Sequence, residues 1–280
     1  MVGVAELTRQ FRVERPASGS GKGFRKNGLK EFLLSVAMKQ SEDSLSRYFD
    51  KVYVINLTER TDRLAEVSAA LERVHMPFTA GKVERFSATK STESLGFPSP
   101  GVRGCFLSHL AVLRQALEQN LASVLVLEDD VEFSNCLPRV ASSIGEQLNN
   151  YSWSFAYLGY YQVEGAERAW RMTSSVSLRE YTGEVLCCHA YAVSSSALPE
   201  LVAYLEQTML EENGRIDIDG AFNNYRIEKD ALTLLVDPQV AWQRASHSDI
   251  HEVSWRRSSI VRKLFAPLRK RKNFLHRLLR

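Results

Sequence analysis

One stretch limits what this chain can fold into more than any other: Ser123 to Phe133, reading S-V-L-V-L-E-D-D-V-E-F. Val124, Leu125, Val126 and Leu127 are apolar without alternation, the pattern of a strand covered on both faces and therefore of a sheet held between helical layers. The run stops at Glu128, Asp129 and Asp130. Three adjacent carboxylates repel one another and cannot all be buried without a counter-charge. In open α/β sheets ligands sit outside the carboxyl ends of strands. A divalent metal carrying a diphosphate is the natural partner for such a cluster. The plain alternative is a solvated acidic turn.

The segments around this strand alternate in the same α/β sense. Val52 to Leu57 (V-Y-V-I-N-L) is rich in β-branched residues and predicts a strand. A polar loop with Arg60 and Arg63 follows, then helical periodicity through Leu64, Val67, Leu71 and Val74. Two arginines at such a strand end can clamp a phosphate or carboxylate bidentately, or simply be solvated at a helix start. A second strand is expected at Val83 to Phe86. Gly101 to His109 opens a helix running to about Asn120. Gly101 and Gly104 leave room for a backbone to approach a ligand, with Arg103 between them. Ser108 and His109 are adjacent, so their side chains diverge and a hydrolytic Ser–His pair is not expected. Further on, the pattern predicts a helix over Leu137 to Leu148, strands over Ser154 to Gly159 and Cys187 to Ser194, and an irregular span from Tyr160 to Arg179. A helix follows Ser196, and Asp217 and Asp219 stand before another. Leu232 to Val236 reads as a last strand.

A length of 280 residues suffices for a real core, and 44% hydrophobic with 25% charged residues is ordinary for a soluble globular protein. No apolar run approaches the ~20 residues that span a bilayer. The N-terminus lacks the apolar core of a signal peptide, so a cytoplasmic location is expected. Cys105, Cys136, Cys187 and Cys188 follow no zinc or disulfide spacing and read as reduced thiols. The net charge of +3 is uneven. Arg256 to Arg280 carries ten Lys or Arg and no acid, so +3 less ten leaves the remainder near −7. Arg15 to Gly28 is rich in Gly, Ser and Lys and is expected to be flexible. Its S-G-S-G-K-G lacks both the Ser or Thr and the preceding strand of a phosphate loop.

Four patterns then occur in order: N-L-x-x-R-x-x-R from Asn56, G-x-x-G-C-x-x-S-H from Gly101, L-E-D-D-V from Leu127, and D-G-A at Asp219 with Q-R-x-S-H-S-D-I from Gln243. Together they resemble glycosyltransferase family 25, which covers lipooligosaccharide and lipopolysaccharide sugar transferases and related collagen galactosyltransferases. The resemblance spans about residues 51–250. It implies a GT-A-like (Rossmann-like) α/β fold with a mixed, mostly parallel sheet flanked by helices. It implies a nucleotide-sugar donor, such as a UDP-hexose, bound by Asn56, Arg60, Arg63, Gly101, Arg103, Gly104, Ser108, His109 and Asp129. It also implies a divalent metal, Mn²⁺ or Mg²⁺, on Glu128 and Asp130, with His247 as a third ligand by its late position in the chain. Inversion at the anomeric carbon needs a carboxylate base, for which Asp219 is the first candidate and Asp217 the second. Helix capping is the plain alternative for both.

The expected organisation is therefore an N-terminal extension, 1–46, with a short helix at Leu29 to Met38; a family 25-like catalytic domain, 47–254; and a basic amphipathic tail, 255–280. Ile260, Leu264 and Leu268 share one helical face in that tail, as do Phe274, Leu275, Leu278 and Leu279 beyond Pro267. Such a pattern suits an anionic membrane surface at the inner face of the membrane, and a nucleic-acid partner is not expected. The leading expectation is a metal-dependent inverting hexosyltransferase, galactose being the first candidate sugar, acting on a surface glycolipid or polysaccharide. A metal-dependent phosphohydrolase and a non-catalytic membrane-recruited scaffold are the competing readings. Sugar, linkage and acceptor depend on loop contacts that a sequence does not display.

Overall fold

A computed structural model describes residues 43–162, 175–210 and 215–244. The expected helix at Leu29 to Met38, the Gly-rich segment, His247 and the basic tail lie outside the described residues. The elements are β1 (Lys51–Asn56), α1 (Thr61–Arg73), β2 (Val83–Ser87), α2 (Pro100–Glu118), β3 (Ser123–Glu128), β4 (Val131–Phe133), α3 (Leu137–Asn149), β5 (Phe155–Gln162), β6 (Ser177–Glu180), β7 (Val185–Ser194), α4 (Leu198–Leu210), α5 (Ile218–Glu228), β8 (Thr233–Asp237) and β9 (Ala241–Gln243). A 3₁₀ turn, Leu45–Tyr48, precedes β1.

Seven strands form one sheet in the order β2-β1-β3-β7-β5-β8-β6, while β4 and β9 pair separately. Five of the seven strands point the same way and β6 and β7 run against them. This is the mixed, mostly parallel α/β sheet that the family resemblance implies. The unalternated strands explain the layering. On β1, Val52 and Val54 face one core and Tyr53 and Ile55 the other; on β3, Leu125 and Leu127 oppose Val124 and Val126. The first core includes Val67 and Leu71 of α1 and Leu137, Val140 and Ile144 of α3. The second includes Phe106, Leu110 and Leu113 of α2, Leu198, Leu201 and Leu205 of α4, and Phe222 and Tyr225 of α5. Helices thus cover both faces, and polar groups at the strand ends are left to define a cleft.

The structure departs from the sequence expectation in three short strands. β4 and β9 have three residues each, too few to show a period, and both form because each is the other's partner. β6, together with the last residues of β5, occupies part of the span expected to be irregular. S-L-R-E carries a single large apolar side chain, and its pairing with β8 at the sheet edge decides its state. Among the described residues no helix is long and apolar enough to cross a membrane.

The 3₁₀ turn packs against α3 where Gly145 leaves room, since a Cβ there would overlap the Tyr48 ring. Gly145→Ala is therefore expected to destabilise the fold by about 1–3 kcal/mol, the usual range for overpacking. Urea denaturation checks this; a midpoint equal to the parent's would show that Tyr48 does not sit on α3.

Candidate active site

Because β1 and β3 are parallel with Ile55 level with Glu128, Asn56 at the end of β1 comes beside Asp129, the residue after β3. Asn56 donates from Nδ2 to Asp129 Oδ2 at 2.8 Å and to the Arg60 carbonyl at 3.1 Å. Arg63, in the first turn of α1, is buried and donates to Asp129 Oδ1 at 2.8 Å. The same guanidinium nitrogen lies 3.9 Å from Asp130 Oδ2. Arg60 turns to Asp62 instead, at 2.9 Å on the outer side of the loop. Of the two arginines, Arg63 is the clamp, and the carboxylate it holds belongs to the chain itself.

Asp130 has a different environment. The β4–β9 pairing sets Val131 opposite Gln243, so Gln243 Nε2 donates to Asp130 Oδ2 at 3.0 Å and the Arg244 backbone N–H donates to the Asp130 carbonyl at 2.8 Å. Asp130 Oδ1 is buried and makes no hydrogen bond. Burial, and then the neighbouring charge of Glu128, push this carboxyl up to about 7; Gln243 and Arg63 act the other way and do not prevail.

Glu128 meets the imidazole of His109. Nε2 lies 3.2 Å from Glu128 Oε1, and Nδ1 lies 2.8 Å from the Tyr191 hydroxyl. Burial works to raise the Glu128 carboxyl, but His109, by hydrogen bond and charge, and then His189 and Arg63 outweigh it and hold it below the ordinary range. Cys105, one helical turn before His109, brings its sulfur to the same place: the Cys105, His109 and Glu128 donor atoms all lie within 4.8 Å of one another. His189 of β7 is also buried, with its ring against the Ala241 carbonyl of β9. Burial lowers its pKa and favours the neutral ring. Gly159 makes space for it, since a Cβ there would overlap His189 Nε2 and the Ala241 carbonyl.

The opposite wall comes from α5. Asp217 is the N-cap, accepting from Gly220 N–H at 2.9 Å, which is the capping role weighed from sequence. Asp219 sits in the first turn, with Oδ1 accepting from Gly220 N–H at 3.1 Å and Oδ2 from Cys187 N–H at 3.4 Å. Cys187 has a left-handed φ of 71°, which turns the start of β7 toward α5. The thiol of Cys105 is raised by burial and then by the charges of Glu128, Asp219, Asp217 and Asp130. Four carboxylates, two from the end of β3 and two from the start of α5, therefore act on the Cys105 thiol.

The glycine motif does local work. Ser99 caps α2, with Pro100 in its first turn and Gly101 next to it. The close approach that Gly104 permits is by the Thr89 backbone carbonyl of this chain. Ser108 Oγ accepts from Thr89 N–H at 2.8 Å and donates to the Gly104 carbonyl at 2.7 Å, and Arg103 donates to Ser91 Oγ at 2.7 Å. Gly104, Ser108 and Arg103 thus pin the loop after β2 beside the cleft. His189, Tyr191 and Gln243 escape a reading of spacing alone, because β7 and β9 reach the site only through antiparallel pairing.

The family model described as glycosyltransferase family 25 (LPS biosynthesis protein) matches residues 49–219. Inactive glycosyltransferase 25 family member 3 of Mus musculus is 30% identical over 156 residues, covering 48% of this chain and 26% of that protein. Procollagen galactosyltransferase 2 of Mus musculus is 28% identical over 174 residues, covering 55% of this chain and 27% of that protein. The chain spans about a quarter of the length of these curated relatives. Among solved structures, a glycosyltransferase involved in the glycosylation of the major capsid of PBCV-1 is similar with a TM-score of 0.36 and 12% identity, covering 71% of this chain and 93% of that one.

The raised Asp130 carboxyl has a pH consequence. Its folded pKa of about 7 exceeds the ordinary 3.8, so the folded state holds this proton more tightly. The associated stability is fully present below about pH 4 and is lost as pH rises through about 7, at up to about 1.4 kcal/mol per pH unit. In the absence of divalent cation, Asp130→Asn is expected to flatten this loss and to raise Tm at alkaline pH. Thermal melts of both proteins across that range check it; parallel pH profiles would contradict the burial of an uncompensated charge.

Proposed function

The chain belongs to glycosyltransferase family 25, and from that premise we propose that it is a metal-dependent inverting glycosyltransferase, moving a hexose, galactose first among candidates, from a UDP-sugar to a surface glycolipid or polysaccharide. The observation that carries this reading is the buried Asp130 with one carboxylate oxygen lacking any partner, beside Glu128 at the carboxyl end of β3. That geometry calls for a cation, and an all-oxygen pair suits Mn²⁺ or Mg²⁺. Asp130 and Glu128 would hold the ion, which when bound supplies charge stabilisation for the departing nucleoside diphosphate. Asp129, already held by Asn56 and Arg63, then positions the strand end instead of binding the ion.

Asp219 is the proposed base. Its two oxygens accept from the Gly220 and Cys187 N–H groups, which fixes the carboxylate between the start of α5 and β7. As the acceptor hydroxyl oxygen bonds to the anomeric carbon, its proton passes to Asp219 and the bond to diphosphate oxygen breaks on the opposite face. His109 and Tyr191 steady Glu128, and the loop pinned by Gly104 and Ser108 contributes to the donor side. The scaffold alternative is supported by relatives whose names call them inactive. It predicts that UDP-sugars have no effect on the protein.

Thermal-shift titration with several UDP-hexoses, with and without manganese, separates these readings. A manganese-dependent shift with one UDP-sugar is expected, and no shift with any would overturn the transfer reading. Asp219→Asn is expected to lower transfer about a hundredfold or more, the scale of a lost general base, while donor binding stays within about threefold. A comparable loss of donor binding would reassign Asp219 to the donor.

We also propose a peripheral location at the inner face of the membrane, carried by the tail after Trp255. Its ten basic residues recur between apolar ones at helical spacing, and each contributes roughly 1 kcal/mol near an anionic surface. Truncation after Trp255 is expected to abolish salt-sensitive sedimentation with anionic liposomes. Undiminished binding by the truncated protein would refute the assignment.

A further inference from the structure

Cys105 and His109 lie one turn apart on α2 and so share a face; Glu128 comes to them from the end of β3. Their donor atoms fall within 4.8 Å of one another, and His109 Nε2 is 3.2 Å from Glu128 Oε1. Bonds of about 2.0–2.3 Å to a tetrahedral zinc require donor atoms to stand about 3.3–3.8 Å apart, so the triangle is close to a ligand set. His109 is also braced as a ligand would be, because its other nitrogen bonds the Tyr191 hydroxyl within a wall of Tyr191 and Phe222. Cys105 and Glu128 are half-buried, so the triangle opens onto the cleft. The charges of Asp219, Asp217 and Asp130 bear on the same point, where a cation would be welcome.

We propose that Cys105, His109 and Glu128 form a second cation site, selective for a thiophilic divalent ion such as zinc. The site shares Glu128 with the oxygen-only pair assigned to transfer and differs from it in the sulfur and imidazole that Cys105 and His109 bring. Sulfur, imidazole and carboxylate together favour zinc over magnesium or manganese, and three protein ligands leave a fourth position for water or a ligand oxygen. Binding exchanges the Cys105 S–H proton for a sulfur–metal bond and releases that proton to solvent. On binding, the Nε2 that now pairs with Glu128 would turn its lone pair to the ion, and Nδ1 would keep the Tyr191 hydroxyl as its partner.

The full chain, stripped of metal and kept reduced, is titrated with zinc against a chromophoric chelator and separately with cobalt. One zinc per chain is expected, with a thiolate-to-cobalt charge-transfer band in the near ultraviolet. Cys105→Ser should remove that band and weaken zinc by at least about tenfold to a hundredfold, the range that loss of even an outer-shell partner costs. Cys187→Ser should leave both unchanged, and far-ultraviolet circular dichroism establishes that each variant is folded. A cobalt spectrum without the band, unaltered zinc affinity in Cys105→Ser, or loss of the band in Cys187→Ser would each overturn the proposal. The cobalt band and zinc affinity test the Cys105 site, and manganese-dependent UDP-sugar binding tests the oxygen-only pair, so the two failures are read on different measurements.

Discussion

The carboxylate of Asp129, buried between the Asn56 amide and the Arg63 guanidinium, is the interaction on which the rest depends. It ties the ends of two adjacent parallel strands to the first turn of α1, so the edge of the cleft is set by one charge. Both side chains of the Arg63–Asp129 pair are about 10% exposed. Removing one partner of such a pair typically costs about 3–5 kcal/mol, chiefly because the other charge stays buried alone. The pair need not add much to net stability; its consequence is positional. With Asp129 satisfied, Glu128 and Asp130 on either side take up different partners.

That division gives three consecutive acids three chemical characters. Asp129 is neutralised by Arg63. Glu128 leans on His109 and stays ionised more readily than burial alone would allow. Asp130 keeps one oxygen without a partner and holds its proton far above the ordinary range. Natural interiors seldom leave buried polar atoms unsatisfied, so Asp130 Oδ1 is the atom on which the proposed cation site rests. It stands where β3 gives way to β4, with β9 alongside, and the proposed chemistry is centred on that end of the sheet.

Much of this was legible beforehand, for identifiable reasons. The unalternated V-L-V-L of β3 requires cover on two faces, and the structure supplies α1 and α3 on one and α2, α4 and α5 on the other. The change from apolar to acidic residues marked the carboxyl end of β3, which closes at Glu128. Spacing did not tell which arginine turns inward. Arg60 and Arg63 are equivalent as letters, and only the helical turn of α1 sends Arg63 to Asp129 and Arg60 to Asp62. Gly104 showed a close approach without showing that Thr89 makes it.

By itself, then, the sequence determined the elements with a period long enough to read, the α/β class, and the place of the acidic run at the carboxyl end of a strand. These rest on local chemistry: β-branching, apolar repetition and the mutual repulsion of adjacent carboxylates. Only the tertiary structure decided what meets that run. The antiparallel β7 enters between β3 and β5, so the C-C-H run of Cys187 to His189 arrives beside Glu128, with Leu127 level with Ala190. The three-residue pairing of β4 with β9 carries Gln243 to Asp130 from 113 positions away. Pairing partners and register are properties of the assembled sheet, since backbone hydrogen bonds are indifferent to side-chain identity and leave no periodic trace in so short a strand.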